Sequence, residues 1–261
     1  MIDDRMLTPE NNTRLIEIAD RYYSNPKILD SIFPFINKRE VAFLTKQKTD
    51  YFMMRNRKID QIQYIHRQIV YFMQQNKVFY NFYVSLCRFK NGIMFCKDDR
   101  QKKYWLDNYF NYIETIDVGF DFDAEKECKI AAAKKDALYI SDFLTSQKYD
   151  HRLIFSGFGF QIVVPFGSFP VEVQKLSFNP YEKDSFFHYA SDFVRGFSPK
   201  CKTLDTKVLD SRRVFKVPYS LVYNPKKSKK LFVAYPLDPE YLKKDWKLKS
   251  MVYSENGNSK I

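Results

Sequence analysis

The chain has 261 residues, 45% of them apolar, which excludes a wholly disordered protein, and its 7 glycines exclude collagen-like or glycine-linker architectures. Its 43 Lys and Arg outnumber 31 Asp and Glu, and the formal net charge of +12 favours a polyanionic partner through counterion release, whether nucleic acid, phosphate or acidic lipid.

Residues 9–25 open with Pro and Asn and then carry Leu15, Ile16, Ile18 and Ala19 at helical spacing, which predicts a first helix. A second is expected over 59–76, where Ile62, Ile65, Ile69, Val70 and Phe72 recur every three or four residues. The β-branched and aromatic run 78–89, followed by Asn91-Gly92 and a short apolar stretch, reads as a β-hairpin. Residues 115–122 form another strand, and 125–146 a helix with Ile130, Ala133, Ala137, Ile140 and Leu144 on one apolar face. Residues 151–166 read as strand, turn, strand around Ser156-Gly157 and Gly159. A helix over 182–197 and extended chain over 204–223 complete the pattern. With no repeat and no composition break, one α+β domain is expected over 1–253, with 254–261 as a tail.

The opening MIDDRMLTPENNTR is polar and acidic, unlike a signal peptide, and no run approaches the roughly 18 apolar residues of a membrane span. A soluble, intracellular protein with no membrane partner is expected. Cys87, Cys96, Cys128 and Cys201 are too few for a disulfide scaffold and none lies in a Cys-x2-Cys pair. His66, His151 and His188 complete no zinc-finger spacing, so no structural zinc is expected.

Three segments carry residues suited to chemistry. Asp121 and Asp123 flank Phe122 at the end of an apolar strand, so both carboxylates share one face, as half of a hard-cation site requires. Asp123 could also be the N-cap of the helix that follows. Ser156-Gly157-Phe158-Gly159-Phe160-Gln161 could present backbone N–H groups to a phosphate or be an ordinary hairpin turn. Asp205, followed by Arg213, Lys216, Pro218 and Ser220, could combine metal and triphosphate binding or be a solvated basic strand.

In this order the three segments resemble the catalytic small subunit of the archaeo-eukaryotic DNA primases. That family has a strand ending in Asp-x-Asp, then a Ser-Gly-x-Gly-x-His turn. A third acid follows, before a basic strand ending in (Lys/Arg)-x-Pro-x-Ser. Here these are VGFDFD (118–123), SGFGFQ (156–161) and LDTKVLDSRRVFKVPYSL (204–221). Arg39-Glu40-Val41-Ala42-Phe43 is similar to an upstream family segment, and the likeness spans about 39–221. Gln161 replaces the family histidine, Phe158 a common arginine and Val222 a second histidine, and the inserted zinc module of many relatives is missing.

The resemblance implies a mixed β-sheet flanked by helices, with Asp121, Asp123 and Asp205 as ligands of two Mg²⁺ or Mn²⁺ ions. Asp205, 11 residues before Lys216, fits the third acid better than Asp210, which is 6 before it. Arg55, Ser156, Gly157, Gly159, Gln161, Arg213 and Lys216 would hold the nucleotide, with Gln161 weakened because it carries no charge. The implied function is primer synthesis on a single-stranded DNA template from NTPs or dNTPs, with a primase large subunit as partner in a heterodimer. Lys226, Lys227, Lys229 and Lys230 could track template phosphates or simply solubilise a loop. The alternatives are a primase-polymerase or repair polymerase of the same superfamily, a catalytically weakened DNA-binding subunit, and a metal-dependent nuclease.

Overall fold

A computed structural model describes residues 9–47, 50–56, 79–90, 109–124, 130–206, 213–224, 230–244 and 246–253. The expected helix over 59–76, the Asn91-Gly92 turn and the tail from 254 lie outside the described residues.

Helix α1 (Pro9–Tyr23) is followed by α2 (Pro26–Ile36), a helix beyond those expected from the sequence. Its start has an ordinary signal: Asn25 caps it by accepting from the Lys27 N–H at 3.0 Å, and Pro26 fills a position that needs no N–H donor. Pro34 inside the helix masks it in sequence, while Ile28, Leu29, Ile32 and Ile36 bury one face.

The first sheet is built on the long strand β3 (Phe79–Phe89). One edge of β3 pairs with β1 (Arg39–Gln47), which pairs in turn with β2 (Asp50–Asn56). Its other edge is shared by β8 (Val214–Lys216) and β4 (Ile113–Ile116). The second sheet runs in the order β11 (Tyr235–Leu237), β6 (Arg152–Phe155), β7 (Gly159–Val164), β5 (Val118–Asp123). A two-stranded pair, β9 (Leu221–Val222) and β10 (Phe232–Val233), completes the strands.

The α+β architecture with flanking helices is as expected. Where a mixed sheet was implied, every ladder among the described strands is antiparallel. The reason is the crossover through α3 (Ile130–Ser146). It leaves β5 and β6 parallel in direction, but β7 inserts between them and pairs antiparallel with both.

The strand expected at 115–122 is two strands in different sheets, β4 in the first and β5 in the second. The chain changes sheets at Asp117, which is buried against Arg39. Arg39 also donates to the carbonyls of Ser85 and Leu86, at 2.8 Å each. Asp117 accepts from the Phe166 N–H at 3.1 Å, and its own N–H donates to the Leu86 carbonyl. A paired, fully bonded charge is the form in which a buried carboxylate is tolerated.

Register separates the two faces of the second sheet. Phe120 and Phe122 of β5 lie opposite Ile162 and Phe160 of β7, and this face is covered by α3 and by α4 (Phe186–Arg195). Ala133 and Ala137 let α3 approach closely, and Phe120 meets Phe193 and Phe197 edge-on at 6.0 and 5.7 Å. Helix α4 is shorter than the expected 182–197 because Ser185 caps it, accepting from the His188 N–H. On the opposite face Gly119 receives the Phe215 ring of β8, which a Cβ would meet at 2.3 Å. The two sheets therefore approach each other on the face that carries Asp121 and Asp123. A second core joins α1 and α2 to Phe82, Val217, Leu221 and Val233.

Candidate functional site

The site lies where β5 and β7 face β8 and β3. Alternation on β5 puts Asp121 and Asp123 on the face away from the phenylalanines, and register sets Asp121 opposite Gln161 and Asp123 opposite Gly159. The free edge of β5 is taken by the segment 203–205. Asp123 N–H donates to the Thr203 carbonyl at 3.1 Å, and Asp205 N–H to the Asp121 carbonyl at 2.8 Å. Backbone pairing thus brings Asp205 beside Asp121. The segment is itself clamped by Asp136 of α3, whose carboxylate accepts from the Thr203 N–H and hydroxyl at 2.9 and 2.8 Å. Nothing in the sequence marks Asp136, because an acid inside an alanine-rich helix reads as a solvated position.

Arg213 stands between the two carboxylates, 2.7 Å from Asp205 Oδ2 and 3.6 Å from Asp121 Oδ2. Asp121 is 13% exposed, Asp205 28% and Arg213 33%, so the cluster opens toward solvent on the Asp205 side. Burial, first, and the charges of Asp123 and Asp205 push the Asp121 carboxyl up to about 6, against the pull of Arg213 and Gln161. Lys216 donates from Nζ to the Tyr83 hydroxyl at 2.6 Å, with Nζ 3.8 Å from the ring centroid, a cation–π contact. Burial and the nearby acids hold the Tyr83 phenol well above its ordinary range, so it stays a neutral acceptor for the lysine.

The turn before Gln161 is tightly packed. Gly157 has φ +94°, and a Cβ there would meet Val222 at 2.4 Å. At Gly159 a Cβ would lie 2.0 Å from the Phe122 carbonyl oxygen. Ser156 is buried, and its N–H closes the turn on the Gly159 carbonyl at 3.0 Å. Phe158 is also buried, edge-on to Phe232.

Asp121, Asp205, Gln161, Arg213 and Lys216 are thus brought into one cluster, with Asp123 exposed on the same face of β5. Arg55 belongs to β2 and occupies a cross-strand row Arg55–Ala42–Tyr83–Lys216 that ends at the cluster. Asp210, Lys226, Lys227 and Lys229, and the cysteines Cys96 and Cys128, lie outside the described residues. His151 is bonded to the Ser141 hydroxyl at 2.7 Å and the Tyr149 carbonyl at 3.2 Å.

Among the described residues no group of three or more His, Cys, Asp or Glu side chains is placed to hold a metal ion. The donor chemistry nonetheless fits a hard divalent cation. Asp121 and Asp205 are carboxylates on adjoining backbone, Asp123 shares their side of β5, and the pair already draws one positive charge, the Arg213 guanidinium.

No family model matches the chain, and no curated protein sequence matches it. Among solved structures it is similar to the polymerase domain from Mycobacterium tuberculosis ligase D in complex with DNA, with a TM-score of 0.57 and 13% identity. The likeness covers 94% of this chain and 87% of that one. At that identity the likeness is one of fold. Among the described residues no helix is long and apolar enough to cross a membrane.

Proposed function

We propose that the chain is a DNA-directed nucleotidyltransferase of the primase–polymerase kind. The observation that carries this reading is the Asp121–Asp205 pair, facing Arg213 and Lys216 where two sheets meet, on a fold similar to that of a DNA-bound polymerase domain. In the reaction a 3′-hydroxyl oxygen bonds to the α-phosphorus of the incoming nucleotide, the bond to the β-phosphate oxygen breaks, and pyrophosphate and the hydroxyl proton leave. Asp121, Asp123 and Asp205 would hold Mg²⁺ or Mn²⁺, which when bound supplies the charge that stabilises the attacking and leaving oxygens. Arg213 exchanges its carboxylate partners for the triphosphate. Lys216, kept in place by Tyr83, adds a second cation, and Arg55 lies in its cross-strand row. The turn Ser156, Gly157 and Gly159 sets β7 against β5, so that its contribution to nucleotide binding is the placement of those strands.

The sequence resemblance favours primer synthesis on single-stranded DNA, with a primase large subunit as partner. A second reading, a repair polymerase that extends existing primers, is favoured by the ligase-associated polymerase domain among the similar structures. One assay tests both, using Mn²⁺ or Mg²⁺, labelled NTPs or dNTPs, and unprimed or primed single-stranded DNA. Products on the unprimed template support the primase reading, and products only on the primed one support the repair polymerase. Shortened template would mean a nuclease, and binding without synthesis a DNA-binding subunit. Asp121→Ala and Asp123→Ala are expected to abolish incorporation while the protein stays folded. Undiminished synthesis by the double variant would overturn the proposal.

A further inference from the structure

The side-chain amide of Gln161 is engaged at both ends. Its Oε1 accepts from the Lys216 N–H at 3.0 Å, and its Nε2 donates to Asp121 Oδ1 at 3.3 Å. The backbone N–H of Lys216 can only donate, so the amide oxygen must face β8 and the nitrogen must face the carboxylate. Gln161 is 4% exposed, which leaves it almost no surface toward an arriving triphosphate. The other carboxylate oxygen of Asp121, Oδ2, is the one nearest Arg213. A single neutral group therefore links three strands: its own β7, the acid on β5 and the basic strand β8.

We propose that Gln161 is a positioning residue, acting through Asp121 and not on the nucleotide. It holds Oδ1 so that Oδ2 is presented toward Asp205 and the cation site. An amide does this without cancelling the negative charge that a metal ion needs, as a second guanidinium would. Hydrogen-bonded partners behind a carboxylate ligand commonly control metal affinity in this way. The inference rests on the nucleotidyltransferase reading for its purpose but can be judged without turnover.

The test compares wild type with Gln161→Met, which has similar length and no amide, and Gln161→Asn. The latter keeps a polar amide but is one methylene too short to span both bonds, so it decides the matter if the methionine variant does not fold. Mn²⁺ binding to the whole chain without nucleotide is read from the spin-resonance signal of free Mn²⁺, alongside thermal unfolding and the nucleotide KM and kcat. Both variants are expected to bind Mn²⁺ about 10-fold more weakly, with kcat reduced and nucleotide KM changed by less than about threefold. Wild-type Mn²⁺ affinity in a folded variant, with nucleotide KM raised about 10-fold, would overturn the positioning role and make Gln161 a triphosphate contact. Mn²⁺ binding by the wild type without any nucleotide incorporation would remove the nucleotidyltransferase reading while leaving the positioning role intact. A wild type that takes up no Mn²⁺ would overturn both.

Discussion

Asp121 is the residue on which the site's electrostatics turn. Its carboxyl, pushed up from 3.8 to about 6 chiefly by burial, keeps a proton in the folded chain over a range where the unfolded chain has already lost it. Its contribution to metal-free stability therefore falls as pH rises from about 4 to about 6, and the deficit persists above that range. Asp121→Asn removes the ionisation and leaves Arg213 its closer partner Asp205. The variant is expected to raise the metal-free unfolding free energy at pH 7.5 by roughly 3 kcal/mol and to flatten the slope below it. Urea unfolding at pH 4.5 and 7.5 reads both, and equal stability of the two proteins at pH 7.5 would contradict the account. Mn²⁺ must displace that proton, so its binding should weaken as pH drops below about 6. The pairing of Asp121 with Asp123 was legible from the two-residue alternation of a strand. The pairing with Gln161 was not, because it depends on which residue of β7 lies opposite.

At the scale of elements, the turn 156–159 and the strands it joins were readable from apolar runs broken at glycine. What the glycines do was not readable in the same way. Gly159 is required by the approach of β7 to β5 at the end where Asp123 sits, and Gly157 by a left-handed backbone beside Val222. Gly159→Ala forces its new methyl toward the Phe122 carbonyl, so the strands must part at the acids. A loss of about 1–3 kcal/mol or more in chemical denaturation, with loss of nucleotide incorporation, is expected. Gly167→Ala, where a Cβ meets nothing within 4 Å, is the control and should stay within about 0.5 kcal/mol of wild type. Helix α3 followed its alanine-rich periodicity, whereas α2 was hidden by Pro34 although its Asn25-Pro26 start carried a capping signal. The run at 115–122 read as one strand because local pattern cannot register a change of sheet at a single buried acid.

For the whole molecule, the Arg39–Asp117 pair and the contact of Phe215 on Gly119 are two of the links between the two sheets. Arg39 binds two carbonyls of β3 and the acid at which the chain leaves for the second sheet, so it joins the halves of the site. Arg39→Met strands a carboxylate in the interior and is expected to cost about 3–5 kcal/mol in urea unfolding. Adding Asp117→Asn should recover part of that loss, because the buried charge is then gone. Additive losses in the double variant would mean the two residues do not act as a pair.

The amino-acid sequence by itself determined the α+β class, the main helices and strands, and three short segments bearing acids, a glycine turn and basic residues. These are legible because propensity, periodicity and glycine placement act over a few neighbouring residues. Tertiary structure alone decided that Asp205 lies beside Asp121, that Arg213 stands between them, and that Gln161 turns inward to the carboxylate. Those relations arise from pairings across tens of residues of chain, β5 with 203–205, β7 with β5, and β8 with β3. No local pattern encodes which hydrogen-bonding edge will meet which.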